Sequence, residues 1–65
     1  MSNITKTLRK LREAKGLSQE KLARLADVAN NTIIIIEAGK NLNPTLDTLK
    51  KIAKALGISV DDLIQ

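Results

Sequence analysis

The chain has 65 residues, enough for one small domain with a single core and no separate catalytic lobe. It contains no cysteine and no histidine, which excludes disulfides, thiolate nucleophiles, imidazole bases and the commonest zinc ligands. The net charge of +4 indicates a polyanionic partner.

Several further classes of protein are excluded by residue types and segments that the sequence lacks. No apolar run approaches the roughly 18 residues of a membrane span, and the first residues lack a signal-peptide core. We therefore expect a cytoplasmic protein with no membrane partner. The absence of Phe, Tyr and Trp removes aromatic platforms for single-stranded bases. Because no phosphate-cradling glycine loop or evident carboxylate pocket is present, we predict no enzyme, no catalytic residue, no metal, no cofactor and no small-molecule substrate.

The first predicted helix covers about residues 3–15. Ile4, Leu8 and Leu11 recur at helical spacing, and Gly16 follows where a helix would end. Basic residues outnumber acidic ones in the first 26 residues. This excess has two interpretations, a solvated helix surface or a surface that contacts duplex phosphates.

The second and third predicted helices cover about residues 19–26 and 30–38. Ser18 is a good N-cap for the former, and Gly39 closes the latter. Asp27 falls where the chain must turn, and aspartate tolerates left-handed backbone better than most residues. Two short helices joined by a tight turn predict a helix-turn-helix.

The last two predicted helices cover about residues 46–56 and 60–64. Thr45 and Ser59 are candidate N-caps, and Pro44 prevents a helix from running through the preceding linker. The fold class predicted for residues 1–65 is therefore all-α, a compact five-helix bundle in one domain. The apolar stripe predicted for helix four is Leu46, Leu49, Ile52, Ala53 and Leu56.

Helix three contains four consecutive isoleucines. At about 100° per residue they surround the helix, so they cannot all face one core. We predict that Ile33 and Ile36 are internal and that Ile34 and Ile35 project outward. A scattered exposed apolar residue needs no explanation, whereas a contiguous patch usually marks an interface.

The whole pattern resembles the Cro/C1-type helix-turn-helix family of phage and bacterial repressors, also called the XRE family. The resemblance rests on LREAKGLSQEKLA, on the spacing from Thr32-Ile33 to Glu37 and Gly39-Lys40, on Asn43-Pro44-Thr45-Leu46 and on IAKALGISVDDLI. In such proteins the second helix of the motif enters the major groove while the first crosses the backbone. The resemblance implies a transcription regulator that binds double-stranded DNA.

The resemblance also implies roles for individual residues. Arg12 and Glu37 match an ion pair that joins helix one to helix three in some relatives. Gln19, at the start of helix two, matches a residue that contacts a DNA phosphate. Lys40 and Asn41, just after helix three, match residues that contact the DNA backbone. The positions of helix three that face base edges are those of Asn30, Asn31, Ile34 and Ile35. From the residues alone, the two asparagines can equally serve only to start the helix.

This sequence departs from the family at the groove-facing surface. Asp27 stands where relatives often have glycine, and Ala29 replaces a usual serine or threonine, which removes an N-cap and a phosphate contact. Relatives usually carry polar or charged residues where Ile34, Ile35 and Ala38 stand. The predicted recognition surface is therefore apolar, which should weaken specific operator binding.

Two hypotheses follow from the apolar surface. In the first, the recognition helix has become a symmetric homodimer interface, and DNA binding is weakened or lost. The residues of this interface are Ala29, Ile34, Ile35, Ala38 and Leu42. In the second, the chain is a working repressor that dimerises elsewhere and reads DNA half-sites with Asn30, Asn31 and Ile35. A domain swap at the 41–43 linker is a further possibility for the first.

Overall fold

The computed structural model describes residues 4–41 and 43–64, and within them it contains only helices and turns. The prediction of an all-α five-helix fold is confirmed. Lys15 and Ala38, placed in helices by the sequence, lie in the turns that follow, and position 3 is outside the described residues. The helices are α1 (Ile4–Ala14), α2 (Gln19–Ala26), α3 (Asn30–Glu37), α4 (Leu46–Leu56) and α5 (Val60–Ile64).

In the part of the chain that the structure describes, three helices begin at a side-chain cap. The Ser18 hydroxyl accepts a hydrogen bond from the backbone N–H of Lys21 at 3.0 Å. At the start of α4, Thr45 Oγ1 accepts from the N–H of Thr48 at 3.2 Å. Ser59 repeats this arrangement before α5. Each cap satisfies an amide that would otherwise lack an intrahelical partner, so these starts are determined locally.

The turn between α2 and α3 depends on Asp27. Its backbone is left-handed, with φ 58° and ψ 46°, a conformation that aspartate adopts more readily than most non-glycine residues. The next N–H, from Val28, donates to the carbonyl of Ala23 at 3.0 Å. This pairing closes the end of α2 and redirects the chain at once into α3.

The core is aliphatic and lies where α2 packs on α3 and α4 while α1 packs on α3 and α5. Ile33 and Ile36 are fully buried, as their spacing predicts. Because α1 and α2 both cover α3, its opposite side is left to solvent. The buried aliphatic residues are Ile4, Leu8, Leu22, Ala23, Ala26, Ile33, Ile36, Ile52, Ala53, Leu56 and Leu63.

The stripe predicted for α4 is wrong at its first residue. Leu46 is 58% exposed, while Ile52, Ala53 and Leu56 are buried. Leu46 lies on the first turn of α4, and the core contacts of this helix come from its later turns. Helical spacing identifies the inward face, but it does not show how far along the helix the neighbouring elements reach.

The start of α3 provides a stability prediction, because its N-cap residue, Ala29, makes no side-chain hydrogen bond. Its φ of −64° and ψ of 143° are those of an N-cap. We expect Ala29→Ser to raise the free energy of unfolding by about 0.5–2 kcal/mol in urea denaturation, since a hydroxyl can cap the helix.

The matched control is Ser18→Ala, which should lower stability by a similar amount because it removes the existing cap of α2. An Ala29→Ser variant no more stable than the parent chain would contradict the prediction.

Candidate nucleic-acid interface

The surface of α3 divides into a buried half and an exposed half. At about 100° per residue, Ile33, Ile36 and Glu37 fall on one side, and all three are buried. Helical spacing places the exposed residues together on the other side. These exposed residues are Asn30, Asn31, Ile34 and, just after the helix, Ala38.

The two outward isoleucines differ in exposure. Ile34 is 39% exposed, whereas Ile35 is half-buried, so Ile34 presents more of its side chain to solvent than Ile35 does. On a helical projection Ile35 lies at the edge of the exposed arc, next to the half-buried Thr32. Ala29 is exposed, and Leu42 of the predicted interface lies outside the described residues. The apolar surface therefore centres on Ile34.

A buried carboxylate fixes the far end of α3. Glu37 is only 2% exposed. Its Oε2 accepts from Arg12 Nε at 2.7 Å, and its Oε1 accepts from Arg12 Nη2 at 3.0 Å. Gln19 Nε2 also donates to Oε1, at 3.2 Å. This arrangement ties α1 and the start of α2 to α3. Arg12 and Glu37 form the ion pair that the resemblance implies, and two hydrogen bonds join them.

Further bonds from α1 hold the last backbone carbonyls of α3. The Thr5 hydroxyl donates to the carbonyl of Ile36 at 2.8 Å, and Arg9 Nη2 donates to the carbonyl of Glu37 at 3.2 Å. The Ile36 carbonyl also accepts from the backbone N–H of Gly39 at 3.1 Å. A cation near the last carbonyls of a helix suits the helix dipole. Sequence reasoning missed Thr5 and Arg9. The spacing of Arg9 from Arg12, one helical turn, was the available signal.

Electrostatics keep this ion pair charged. Burial raises the pKa of Glu37, but the hydrogen bonds from Arg12 and Gln19 and the charges of Arg12 and Arg9 outweigh it, so the pKa lies below its ordinary value of 4.5. The hydrogen bond to Glu37 in turn raises the pKa of Arg12. Both groups are therefore ionised throughout the neutral range.

The residues assigned to backbone contacts lie at two places. Gln19, at the start of α2, is half-buried and engages Glu37. Lys40 is exposed just beyond α3, and Asn41 beside it is half-buried. The side-chain oxygen of Asn41 accepts from the backbone N–H of Asn43 at 3.1 Å. The Gln19–Glu37 bond brings the start of α2 to the C-terminal end of α3, while the two asparagines of α3 lie at its other end.

Two features are absent from residues 4–41 and 43–64, a metal-binding group of acidic, cysteine or histidine side chains and a membrane-spanning helix. No group of three or more acidic, cysteine or histidine side chains there is arranged to hold a metal ion. Within the same residues, no helix combines the length and apolar character needed to cross a bilayer.

The Glu37 network provides a prediction of pH-dependent stability. Because the pKa of Glu37 is lower in the folded chain, its contribution is complete above about pH 4.5 and is lost as pH falls through the folded pKa. We expect Glu37→Gln to destabilise the fold by about 3 kcal/mol at neutral pH, since Arg12 loses its charged partner. The difference from the parent chain should shrink at about pH 3.

Urea denaturation at both pH values checks this expectation. The control is Glu20→Gln, because the ion pair of Glu20 with Arg24 is exposed and should contribute less than about 1 kcal/mol. An equal loss in the two variants, or a Glu37→Gln effect that does not change with pH, would contradict the assignment.

Known proteins are similar to this chain in sequence and fold. The helix-turn-helix family model matches residues 8–63. An uncharacterized HTH-type transcriptional regulator of Methanocaldococcus jannaschii is 41% identical over 56 residues, covering 86% of this chain and 83% of that protein.

Two solved structures are also similar. The restriction-modification controller protein C.AhdI of Aeromonas hydrophila has a TM-score of 0.88 and 38% identity, covering 97% of this chain and 94% of that one. The biofilm master regulator SinR, solved in complex with DNA, has a TM-score of 0.89 and 33% identity over 92% of this chain and 95% of that one.

Some other curated relatives are longer, and the chain spans 47% of one regulator from Deinococcus deserti. The curated relatives are named as transcriptional regulators or control proteins, not as enzymes. One similar solved structure is hydroxypropylphosphonic acid epoxidase from S. wedmorenis, with a TM-score of 0.84 and 28% identity, and this chain covers only 34% of that enzyme. On the family match and these similarities, the chain belongs to the XRE-type helix-turn-helix family of transcription regulators.

Proposed function

We propose that this chain is a DNA-binding domain, a single unit over residues 1–65, that acts on double-stranded DNA in the cytoplasm and places α3 in the major groove. The observation that carries the proposal is the exposed arc of Asn30, Asn31 and Ile34 on a helix whose other side is held by α1 and α2. A helix presented in this way can enter a groove about 12 Å wide without rearrangement. The similarity to SinR, solved in complex with DNA, supports DNA binding by this fold.

Phosphate contacts supply the larger part of the affinity in this proposal. Lys40 is exposed immediately after α3, and the net charge is +4. Gln19, at the start of α2, and Asn41, just after α3, can add neutral hydrogen bonds. When lysine and arginine side chains bind DNA phosphates, they release counterions from the DNA. The affinity for duplex DNA should therefore fall steeply as the salt concentration rises.

Base contacts come from fewer polar groups. An asparagine amide can form two hydrogen bonds with the N6 and N7 of adenine, and Asn30 and Asn31 are both exposed at the start of α3. Ile34 and Ala38 desolvate a groove without replacing its hydrogen bonds. We therefore propose that sequence-specific binding by one copy is weak relative to the phosphate contribution.

Two kinds of substitution separate these contributions. We expect Asn31→Ala to reduce the preference for selected over random duplex by about 1–3 kcal/mol, because an adenine contact is lost. Lys40→Ala should weaken binding to both duplexes alike and lower the slope of log affinity against log salt by about 1. Fluorescence anisotropy on a duplex chosen by library selection, at several salt concentrations, measures both effects.

The control is Lys54→Ala, an exposed charge of the same sign on α4. If Lys54→Ala and Lys40→Ala change affinity equally, general charge rather than the α3 surface is responsible. No measurable binding to any duplex at low salt would overturn the proposed function.

A second candidate is a symmetric homodimer formed by the surface of Ala29, Ile34, Ile35, Ala38 and Leu42. Ile34 favours it, because it is 39% exposed between uncharged neighbours. Burying Ile34 from both copies contributes at most about 3–6 kcal/mol, whereas association costs about 4–15 kcal/mol. With Ile35 already half-buried, we propose that this dimer is weak and competes with DNA for the same surface.

Sedimentation at micromolar concentration distinguishes the candidates. In the absence of DNA, we expect the chain to be monomeric or to self-associate only weakly. Ile34→Ser should then leave the molecular mass measured by sedimentation unchanged. A stable dimer that dissociates on Ile34→Ser, but not on the control Leu46→Ser, would instead establish the second candidate. Leu46 suits the control because it is an exposed aliphatic residue on α4.

A further inference from the structure

We propose that Ile34 makes α3 recognise the C5-methyl group of pyrimidines, so that the domain favours A·T pairs and binds 5-methylcytosine much as it binds thymine. The inference rests on the proposed function, since it needs α3 in the major groove. Its chemical target is the methyl group that thymine and 5-methylcytosine share.

Ile34 lies at the centre of the exposed arc of α3. Asn30 precedes it by four residues and Asn31 by three, so both asparagines lie on the same side of the helix. Ala38 follows four residues later and is also exposed. Ile33 and Ile36 are fully buried and Ile35 is half-buried. Ile34 is therefore the isoleucine of α3 that offers the most exposed surface to a DNA groove.

The polar groups of α3 favour A·T pairs. The helix, with sequence NNTIIIIE, has no arginine or lysine to make the bidentate contact with guanine. Its carboxylate, Glu37, is 2% exposed and bonded to Arg12, so it is not available to accept from cytosine N4. The exposed groups that remain are amides suited to adenine and an aliphatic side chain suited to a thymine methyl.

Ile34 is also held in place before any contact forms. Thr5 and Arg9 bond the carbonyls at the end of α3, and the buried isoleucines fix its rotation. Branching at Cβ limits the side chain of Ile34 to few rotamers. Little entropy is therefore lost on contact, and burying one methyl group should change affinity about three- to fivefold.

An aliphatic contact does not distinguish thymine from 5-methylcytosine, because it makes no hydrogen bond with the O4 or N4 group. Both bases carry the methyl at C5, and unmodified cytosine and uracil lack it. Cytosine methylation at the contacted position should therefore restore the apolar contact. The domain would bind methylated and unmethylated copies of one site with different affinities.

The test measures the affinity of a library-selected duplex in which single thymines are replaced by deoxyuridine. We expect about a three- to fivefold loss at the position that Ile34 contacts. Ile34→Ser should bind the thymine and deoxyuridine duplexes equally, whereas Leu46→Ser, with its exposed residue on α4, should keep the difference. At the same position, G·5-methylcytosine should bind about three- to fivefold better than G·C in the parent chain and in Leu46→Ser, but not in Ile34→Ser.

The outcomes separate the inference from the proposed function. Equal binding of thymine and deoxyuridine duplexes at every position, or a difference that persists in Ile34→Ser, would overturn methyl recognition and leave DNA binding intact. Methyl recognition would also be overturned, with DNA binding left intact, if library selection returned sites that require G·C pairs and cytosine methylation did not change their affinity. Failure to bind any duplex would overturn both.

Discussion

The placement of α3 depends on one buried carboxylate. Glu37 is removed from water, so its charge must be paired and its oxygens must be hydrogen-bonded. Arg12 of α1 supplies the opposite charge, and Gln19 of α2 donates a further hydrogen bond. Hydrogen bonds and ion pairs of this kind have defined lengths and directions, whereas apolar contacts are not directional. The ion pair therefore specifies the orientation of α3 relative to the first two helices, whatever it adds to net stability.

This orientation matters because α3 has weak helical signals of its own. Ala29 provides no side-chain cap, and four isoleucines carry the β-branching that lowers helix propensity. An isolated segment of eight residues would be marginal as a helix. Packing of Ile33 and Ile36, with the bonds from α1 to its last carbonyls, stabilises it. The helix that carries the candidate site is thus formed by tertiary contacts.

The same helix leaves one surface on which two kinds of binding compete. Ile34 cannot form the hydrogen bonds that a polar residue would make with a base pair. Its exposed aliphatic surface instead suits contact with a methyl group. Burial of Ile34 against a second copy would use the same atoms. Because the exposed area is small, a groove with a complementary methyl is a better match than a flat protein interface, which needs roughly 800 Å² from each partner.

The sequence by itself determined the all-α fold, the capped starts at Ser18, Thr45 and Ser59, and the burial of Ile33 and Ile36, because caps and periodicity act over three or four residues. Tertiary structure alone decided that Leu46 is exposed, that Ile35 is half-buried, and that Thr5, Arg9 and Gln19 meet the end of α3. These bonds join residues 18 to 31 positions apart. Only the packing of whole helices brings such residues within hydrogen-bond distance.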